Sequence, residues 1–300
     1  MSMPPSPLLD WSRNSTTTVQ VKRDDLLPFP AAGNKVRKLH SELQGVELRG
    51  RVLVTVGSVT SNHCRTAALM AAQRGGRAHL LLHGDLERSP GQRAALRLLA
   101  ATGSTYEVVA PEQIRPRLDA LLPELGDSAH FVYGGCHTPG GVRAYMEAAV
   151  ELGDQLPTQP DWIVHATGTG ATQAGLIAGV REMGWSTRVL GVSIAREAPR
   201  AEEAIREGLQ WVGHGNAEVL VDDRHMAGGY GMADSRVHAA VADGWRRGMP
   251  LDNTYTGKAM AGLIANISTG FLTGQIVFWH TGGFLTHYSQ LADDLKSYTQ

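Results

Sequence analysis

The chain has 300 residues, 42% hydrophobic and 19% charged, a balance that suits a globular fold with a large core and excludes disorder, collagen and coiled coil. Lys and Arg total 28 against 29 Asp and Glu, a formal charge of -1, so nothing in the charge balance favours nucleic acid or an anionic membrane as a partner. The two cysteines, Cys64 and Cys136, form no C-x-x-C pattern, which argues against a disulfide scaffold or a cysteine-rich zinc site and fits a reducing cytoplasm.

In chain order, Met1 to Ser15 lack a basic start followed by an apolar run, and no stretch of ~18 apolar residues follows, so secretion and membrane spanning have no signal. A-A-G-N-K-V-R-K-L (31–39) places Lys35 at the end of an irregular loop before an amphipathic helix. From Arg51 onward, β-branched runs alternate with Ala/Leu/Arg segments, the pattern of strands joined by crossover helices. Strands are predicted at 51–57, 79–84, 105–110 and 130–135, each followed by a helical stretch, the first from Ser61 to Gly75. A second series has strands at 162–168, 188–195 and 275–283, with helices after the first two. L-G-D-Q-L-P-T-Q-P-D-W (152–162) is the expected connection between the series, and without a Pro/Ser-rich linker two interleaved domains are expected in place of a tandem pair.

The patterns H-E-x-x-H, G-x-S-x-G, the Walker A lysine loop and the EF-hand loop are all absent. The strongest local signal is T-G-T-G-A-T-Q-A-G (167–175) between a strand and a helix. Its glycines open backbone N–H groups at a positive helix N-terminus, and Thr169 and Thr172 add hydroxyls, which together make an anion cradle. Gln173 occupies the third glycine position of the dinucleotide fingerprint, so a single terminal phosphate is the better ligand. The alternative is a glycine-rich turn that binds nothing. A phosphorylated cofactor that needs an amine directs attention to Lys35, with Lys38 one helical turn away as a competitor that reads more readily as a surface residue.

K-R-D-D-L-L-P-F with G-N-K-V-R-K-L, S-N-H-C-R (61–65), T-G-T-G-A-T-Q-A-G-L, G-Y-G (229–231), Y-T-G-K-A-M-A-G-L (255–263) and H-T-G-G (280–283) occur in one order. In these motifs the chain resembles the 1-aminocyclopropane-1-carboxylate deaminase / D-cysteine desulfhydrase family from about Val21 to Gly283. The resemblance implies a fold type II enzyme, like the tryptophan synthase β-subunit, with pyridoxal 5'-phosphate between two interleaved α/β domains of largely parallel sheets. Residues 1–37 and 146–300 would form the large cofactor-binding domain and 38–145 the small substrate-binding domain. A small amino acid as substrate and a homodimer are implied as well.

Residue by residue, the resemblance implies that Lys35 carries the cofactor covalently and moves the Cα proton. Ser61, Asn62 and His63 would hold the substrate carboxylate, with Asn62 also reaching the cofactor's phenolic oxygen; an N-cap is the plain alternative for Ser61 and is compatible. Gly168, Thr169, Gly170, Ala171 and Thr172 would bind phosphate, and Tyr230 and Tyr255 match active-site tyrosines, packing being the alternative for both. Thr256 and Thr281 stand where deaminases of the cyclopropane substrate tend to carry Glu and Leu and desulfhydrases carry hydroxyl residues, beside the pyridine nitrogen. His63, His137 and His280 suggest no metal, because scattered histidines usually satisfy local hydrogen bonds.

The chain departs from the family pattern at Ala32, where a second glycine is usual, and at Ser58-Val59-Thr60, where Gly-Ile-Gln is usual. The segment before Lys22 is shorter than usual, and Phe284-Leu285-Thr286 lacks a proline. The expected activity is elimination of the β-substituent of a small amino acid, most simply D-cysteine to pyruvate, ammonia and sulfide. Alternatives are deamination of the cyclopropane amino acid, β-replacement in specialised metabolism, and a non-catalytic pyridoxal-phosphate-binding regulator.

Overall fold

The structure is a computed structural model that describes residues 3–13, 16–29, 32–84, 90–283 and 285. The chain divides into two compact units, Met1–Ser41 with His137–Phe284, and Glu42–Cys136 with Leu285–Gln300. Phe284 and Thr286, two of the departures noted above, lie outside the described residues.

The first unit is built on a six-stranded sheet in the order β1 (Leu8–Arg13), β2 (Thr17–Arg23), β10 (Gly274–His280), β7 (Trp162–Thr167), β8 (Arg188–Ser193) and β9 (Leu220–Asp222). Only the β1/β2 pair is antiparallel. Every residue of β7 is buried, as a central parallel strand covered on both faces requires. Trp162, Val164 and Ala166 face a cluster that includes residues of α8 (Ser235–Arg246) and α9 (Thr256–Ser268). Ile163 faces the opposite cluster, with residues of α5 (Pro139–Gln155), α6 (Ala171–Glu182) and α7 (Ala198–Gln210).

Helices α5 and α6 approach closely because Gly175 and Gly179 present no side chain. A Cβ at Gly175 would lie 2.3 Å from the Val142 carbonyl oxygen, and one at Gly179 would lie 2.7 Å from Ala149 Cβ. This packing draws the whole of α5 into the first unit, so the compact units divide at 136/137, nine residues before the expected 145/146. The other division, at 41/42 in place of 37/38, falls inside α1 (Asn34–Glu42).

The second unit is an all-parallel four-stranded sheet in the order β5 (Thr105–Val108), β4 (Arg77–His83), β3 (Val52–Ser58) and β6 (Ala129–Val132). Val52, Val54 and Leu81 pack with Leu118 and Leu121 of α4 (Ile114–Leu125). The small residues Ala67, Ala68 and Ala71 of α2 (Asn62–Gln73) are fully buried, and α2 lies against β3 and β4. α3 (Pro90–Ala101) connects β4 to β5.

A buried ionic network ties the first unit together. Arg37 of α1 donates to Asp24 Oδ1 from Nε at 3.0 Å and to both oxygens of Glu151 on α5 at 2.7 and 2.9 Å. Asp24 also accepts from Ser6 Oγ at 2.8 Å, the Tyr145 hydroxyl at 2.6 Å and Trp279 Nε1 at 2.8 Å. Lys22 donates to Glu151, and to the Ser6 carbonyl and Gln155 Oε1, each at 2.6 Å. Burial alone would push the Asp24 carboxyl up, but the Arg37 guanidinium, Tyr145 and Trp279 hold it below the usual carboxylate range. Glu151 is likewise held down by Arg37 and Lys22 against the effect of burial.

Removing one partner leaves buried charge uncompensated, so Asp24→Ala is expected to lower stability at neutral pH by about 3–5 kcal/mol in urea unfolding. A loss below about 1 kcal/mol, typical of a surface pair, would contradict this account. With the folded-state pKa depressed, the stabilisation is present above the unfolded value of about 4 and is lost as pH falls through the folded value. The gap between wild type and variant should therefore narrow on acidification.

Candidate active site

Three helix N-termini are linked in the first unit. α1 opens at Asn34, α6 at Ala171 and α9 at Thr256. Asn34 Nδ2 donates to Thr172 Oγ1 at 3.3 Å, joining the first two. The backbone N–H of Asn34 donates to the Thr281 carbonyl at 2.9 Å, and Gly33 bridges Gly282 antiparallel. Glycine is required at 33: its φ is +127°, and a Cβ would lie 2.7 Å from the Thr281 oxygen. Thr281 is buried, and the loop that carries it is fixed by His280, whose Nε2 reaches the Pro250 carbonyl at 2.7 Å while Nδ1 accepts from Gly282 N at 3.2 Å. Lys35 lies in the first turn of α1 and is half-buried. Lys38 is not a surface residue: it is 1% exposed, with its ammonium 5.9 Å from the centre of the Tyr145 ring.

The turn 168–170 leads from β7 into α6. Gly170 is left-handed at φ +99° and caps the helix with no side-chain bond, so the first-turn N–H groups are left to a ligand or to water. The Thr167 hydroxyl, buried just before the turn, has no hydrogen-bond partner among the described residues. A Cβ on Gly170 would point at α7, 3.1 Å from Ile205 N and 3.2 Å from the Ala204 carbonyl carbon. Gly170 therefore lets the turn lie against α7, and a larger residue would act by displacing the turn, not by filling the cradle.

Asp252 organises the start of α9. Its Oδ1 accepts from Thr254 N at 2.8 Å and Tyr255 N at 2.7 Å, and its Oδ2 accepts from Thr256 N at 3.1 Å and Thr256 Oγ1 at 2.8 Å. Thr256 Oγ1 in turn accepts from Asp252 N at 2.9 Å. Burial raises the Asp252 carboxyl despite these donors. A Cβ on Gly283 would lie 2.4 Å from Asp252 Oδ2, so the glycine brings the H-T-G-G loop against α9. The hydroxyls of Tyr230 and Tyr255 are 2.9 Å apart, their rings edge to face with centroids 6.0 Å apart. Asp252 went unmarked at the level of sequence, although an aspartate ahead of T-Y-T at a helix start is a turn and capping signature.

In the second unit Ser61 caps α2, its Oγ accepting from Cys64 N at 3.3 Å. Asn62 Oδ1 accepts from Arg65 Nη2 at 2.7 Å, and both Ser61 and Asn62 are half-buried. His63 does not accompany them: it is 2% exposed, with Nε2 2.8 Å from Thr55 Oγ1 on β3. Its ring lies on the inward face of α2. His137 lies against Trp211, ring centres 4.9 Å apart, with Nε2 3.3 Å from Glu207. Among the described residues no group of three or more His, Cys, Asp or Glu side chains could hold a metal ion, and no helix is long and apolar enough to cross a membrane.

The model of the family described as pyridoxal-phosphate dependent enzyme matches residues 2–282. The chain belongs to that family. It is 31% identical over 286 residues to a Pyrococcus horikoshii protein named "Putative 1-aminocyclopropane-1-carboxylate deaminase", covering 91% of this chain and 86% of the relative. A crystal structure of an ACC deaminase homologue superposes with a TM-score of 0.83 at 28% identity, over 98% of this chain and 94% of the other. A threonine deaminase of known structure, at 20% identity and a TM-score of 0.67, covering 89% of this chain and 87% of its own, shares the fold. An α/β architecture of mostly parallel sheets is thus the fold type II pyridoxal-phosphate fold. The residues present fit the cofactor's phosphate: a helix N-terminus without a side-chain cap and, among the described residues, an unpartnered buried hydroxyl supply donors, with a left-handed glycine between them.

Alanine in a left-handed conformation costs about 1–2 kcal/mol. Gly170→Ala is therefore expected to weaken retention of pyridoxal phosphate about tenfold or more. Gly168→Ala, whose Cβ would meet Ile194 at an ordinary 3.6 Å, should change it far less. Spectroscopic titration of the apoprotein measures both, and equal affinities would place the phosphate away from this turn.

Proposed function

We propose that the protein is a pyridoxal-phosphate-dependent lyase that eliminates the β-substituent of a small amino acid, most simply D-cysteine plus water to pyruvate, ammonia and sulfide. The observation that carries this choice is the pair of hydroxyl residues Thr256 and Thr281. The carboxylate of Asp252 is engaged by four donors and stands one hydroxyl back from the position that Thr256 would present. The cofactor, when bound, supplies a ring that draws electron density from Cα, and a neutral hydroxyl beside its nitrogen makes it a shallower sink than a carboxylate would. Expelling thiolate from Cβ needs less of that help than opening an unactivated cyclopropane ring, because the sulfur leaves with the electron pair.

The chain's own residues take the remaining roles. Lys35, held by α1, is the amine that binds the cofactor covalently and moves the Cα proton. Gly168 to Thr172 hold the phosphate, so the first unit is the cofactor-binding unit. Ser61 and Asn62, at the N-terminus of α2, receive the substrate carboxylate, which makes the second unit the substrate-binding one. The Tyr230–Tyr255 hydroxyl pair is a proton donor for the leaving sulfur. The enzyme acts as a cytoplasmic homodimer, a setting in which Cys64 and Cys136, both buried and neither in a disulfide, stay reduced.

Borohydride reduction of the holoenzyme followed by peptide mapping should label Lys35; a label on Lys38 would move the covalent role. Lys35→Ala should lower turnover by about 10²–10⁴-fold or more while leaving the fold intact. Sulfide and pyruvate should form from D-cysteine or a β-substituted alanine, with little 2-oxobutyrate from 1-aminocyclopropane-1-carboxylate. The relatives' names favour the cyclopropane substrate as the second reading. Faster 2-oxobutyrate formation than β-elimination would decide for it, and Thr256→Glu with Thr281→Leu should shift the native enzyme away from elimination.

A further inference from the structure

Lys258, the lysine of Y-T-G-K, has no part in the chemistry above, yet its side chain is fully buried. Its ammonium donates to the carbonyl oxygens of Ile194 at 2.8 Å, Met226 at 2.6 Å and Gly229. An ammonium has three N–H donors, and here three carbonyls meet them. Two of the carbonyls belong to a turn in an unusual conformation. Ala227, Gly228, Gly229 and Gly231 all have positive φ, at 52°, 90°, 119° and 74°, and Ala227 has a Cβ to strain it. The turn's own backbone bonds, Gly229 N to Met226 O at 3.0 Å and Met232 N to Gly229 O at 3.2 Å, close it locally but do not attach it to the sheet. Lys258 does, because the Ile194 carbonyl lies just past β8.

Tyr230 sits inside this turn, and its hydroxyl meets that of Tyr255, which lies three residues before Lys258 at the start of α9. One ammonium thus fixes the backbone on one side of the tyrosine pair from the same helix start that carries the other side. We propose that Lys258 is a tethered monovalent cation whose ammonium holds the 226–231 turn and thereby sets Tyr230 against Tyr255, a positioning residue for the proposed proton donor. The catalytic half of this proposal rests on the function proposed above; the clamp itself does not.

The donor set suggests the test, since converging backbone carbonyls also replace the hydration shell of a small free cation. In the holoenzyme, Lys258→Met should raise amide hydrogen exchange in peptides spanning 226–231 by about tenfold or more, with exchange in β7 unchanged. It should lower kcat for D-cysteine more than it changes KM, and Lys258→Gln serves the comparison if the methionine variant does not fold. Lys258→Ala should recover both protection and turnover on addition of ammonium or methylammonium chloride, and not with tetramethylammonium chloride at equal ionic strength. A generally structural lysine would not be rescued in this way. Native-like exchange of 226–231 in the Lys258→Met or Lys258→Gln protein, or an alanine variant indifferent to ammonium, would overturn the clamp. Restored protection in an enzyme that turns over no D-cysteine would uphold the clamp and overturn the substrate reading alone.

Discussion

The guanidinium of Arg37, shared between Asp24 and Glu151, is the interaction on which the geometry of the first unit turns. Arg37 lies two residues past Lys35 on α1, and its fork closes on a carboxylate from the end of β2 and another from α5. The partners of those carboxylates, Trp279 on β10 and Tyr145 on α5, extend the restraint to the central sheet and its covering helix. A helix of nine residues would be marginal alone. Anchored by this largely buried network, α1 is tied to the end of β2 and to α5. Such a network is costly to break and only modestly stabilising to possess, so geometry is its main product.

Around that fixed point the site is assembled from backbone more than from side chains. The α1, α6 and α9 starts are linked through Asn34, Thr172, Thr281 and Asp252, and each contributes the positive end of a helix. Glycines 33, 170 and 283 serve a common purpose, letting main chain approach main chain or a carboxylate where a methyl group would not fit. The first N–H groups of α9 are taken by Asp252 and that of Asn34 by Thr281, so the open donors that suit an anion are those of α6.

The alternation of strands and helices from Arg51 onward was legible in the sequence because each element has the apolar period of its class. The elements read there are found within a few residues. β1, β2, β9, α8 and α9 were not read: β9 has three residues, β1 and β2 pair with each other and with β10 across the length of the chain, and α8 and α9 follow no strand in the alternation. Glycine-marked positions were legible for the same reason that they matter, a backbone requirement that shows in composition. Buried charge was not. Lys38 reads as a surface residue in the sequence, and nothing in the motifs that hold Lys22 and Lys258 marks either as buried. What accommodates those last two is a carboxylate 129 positions away in one case and a set of carbonyls from two loops in the other. The burial of His63 was not legible either, for its place in a conspicuous motif says nothing about which side of α2 it occupies.

The parallel pairing of β2 with β10, from Thr17 with Gly274 to Arg23 with His280, bears on how such a chain matures. Emerging from the ribosome, all four strands of the sheet in 42–136 are made before β10, whereas β2, made before any of them, must wait for it. The parallel edge of β2 toward the missing β10 stays open for that interval. Asn34 and Thr281 come together only when β10 docks, so the contact that fixes the start of α1 forms late, and a chain truncated before Gly274 would leave that edge of β2 unpaired.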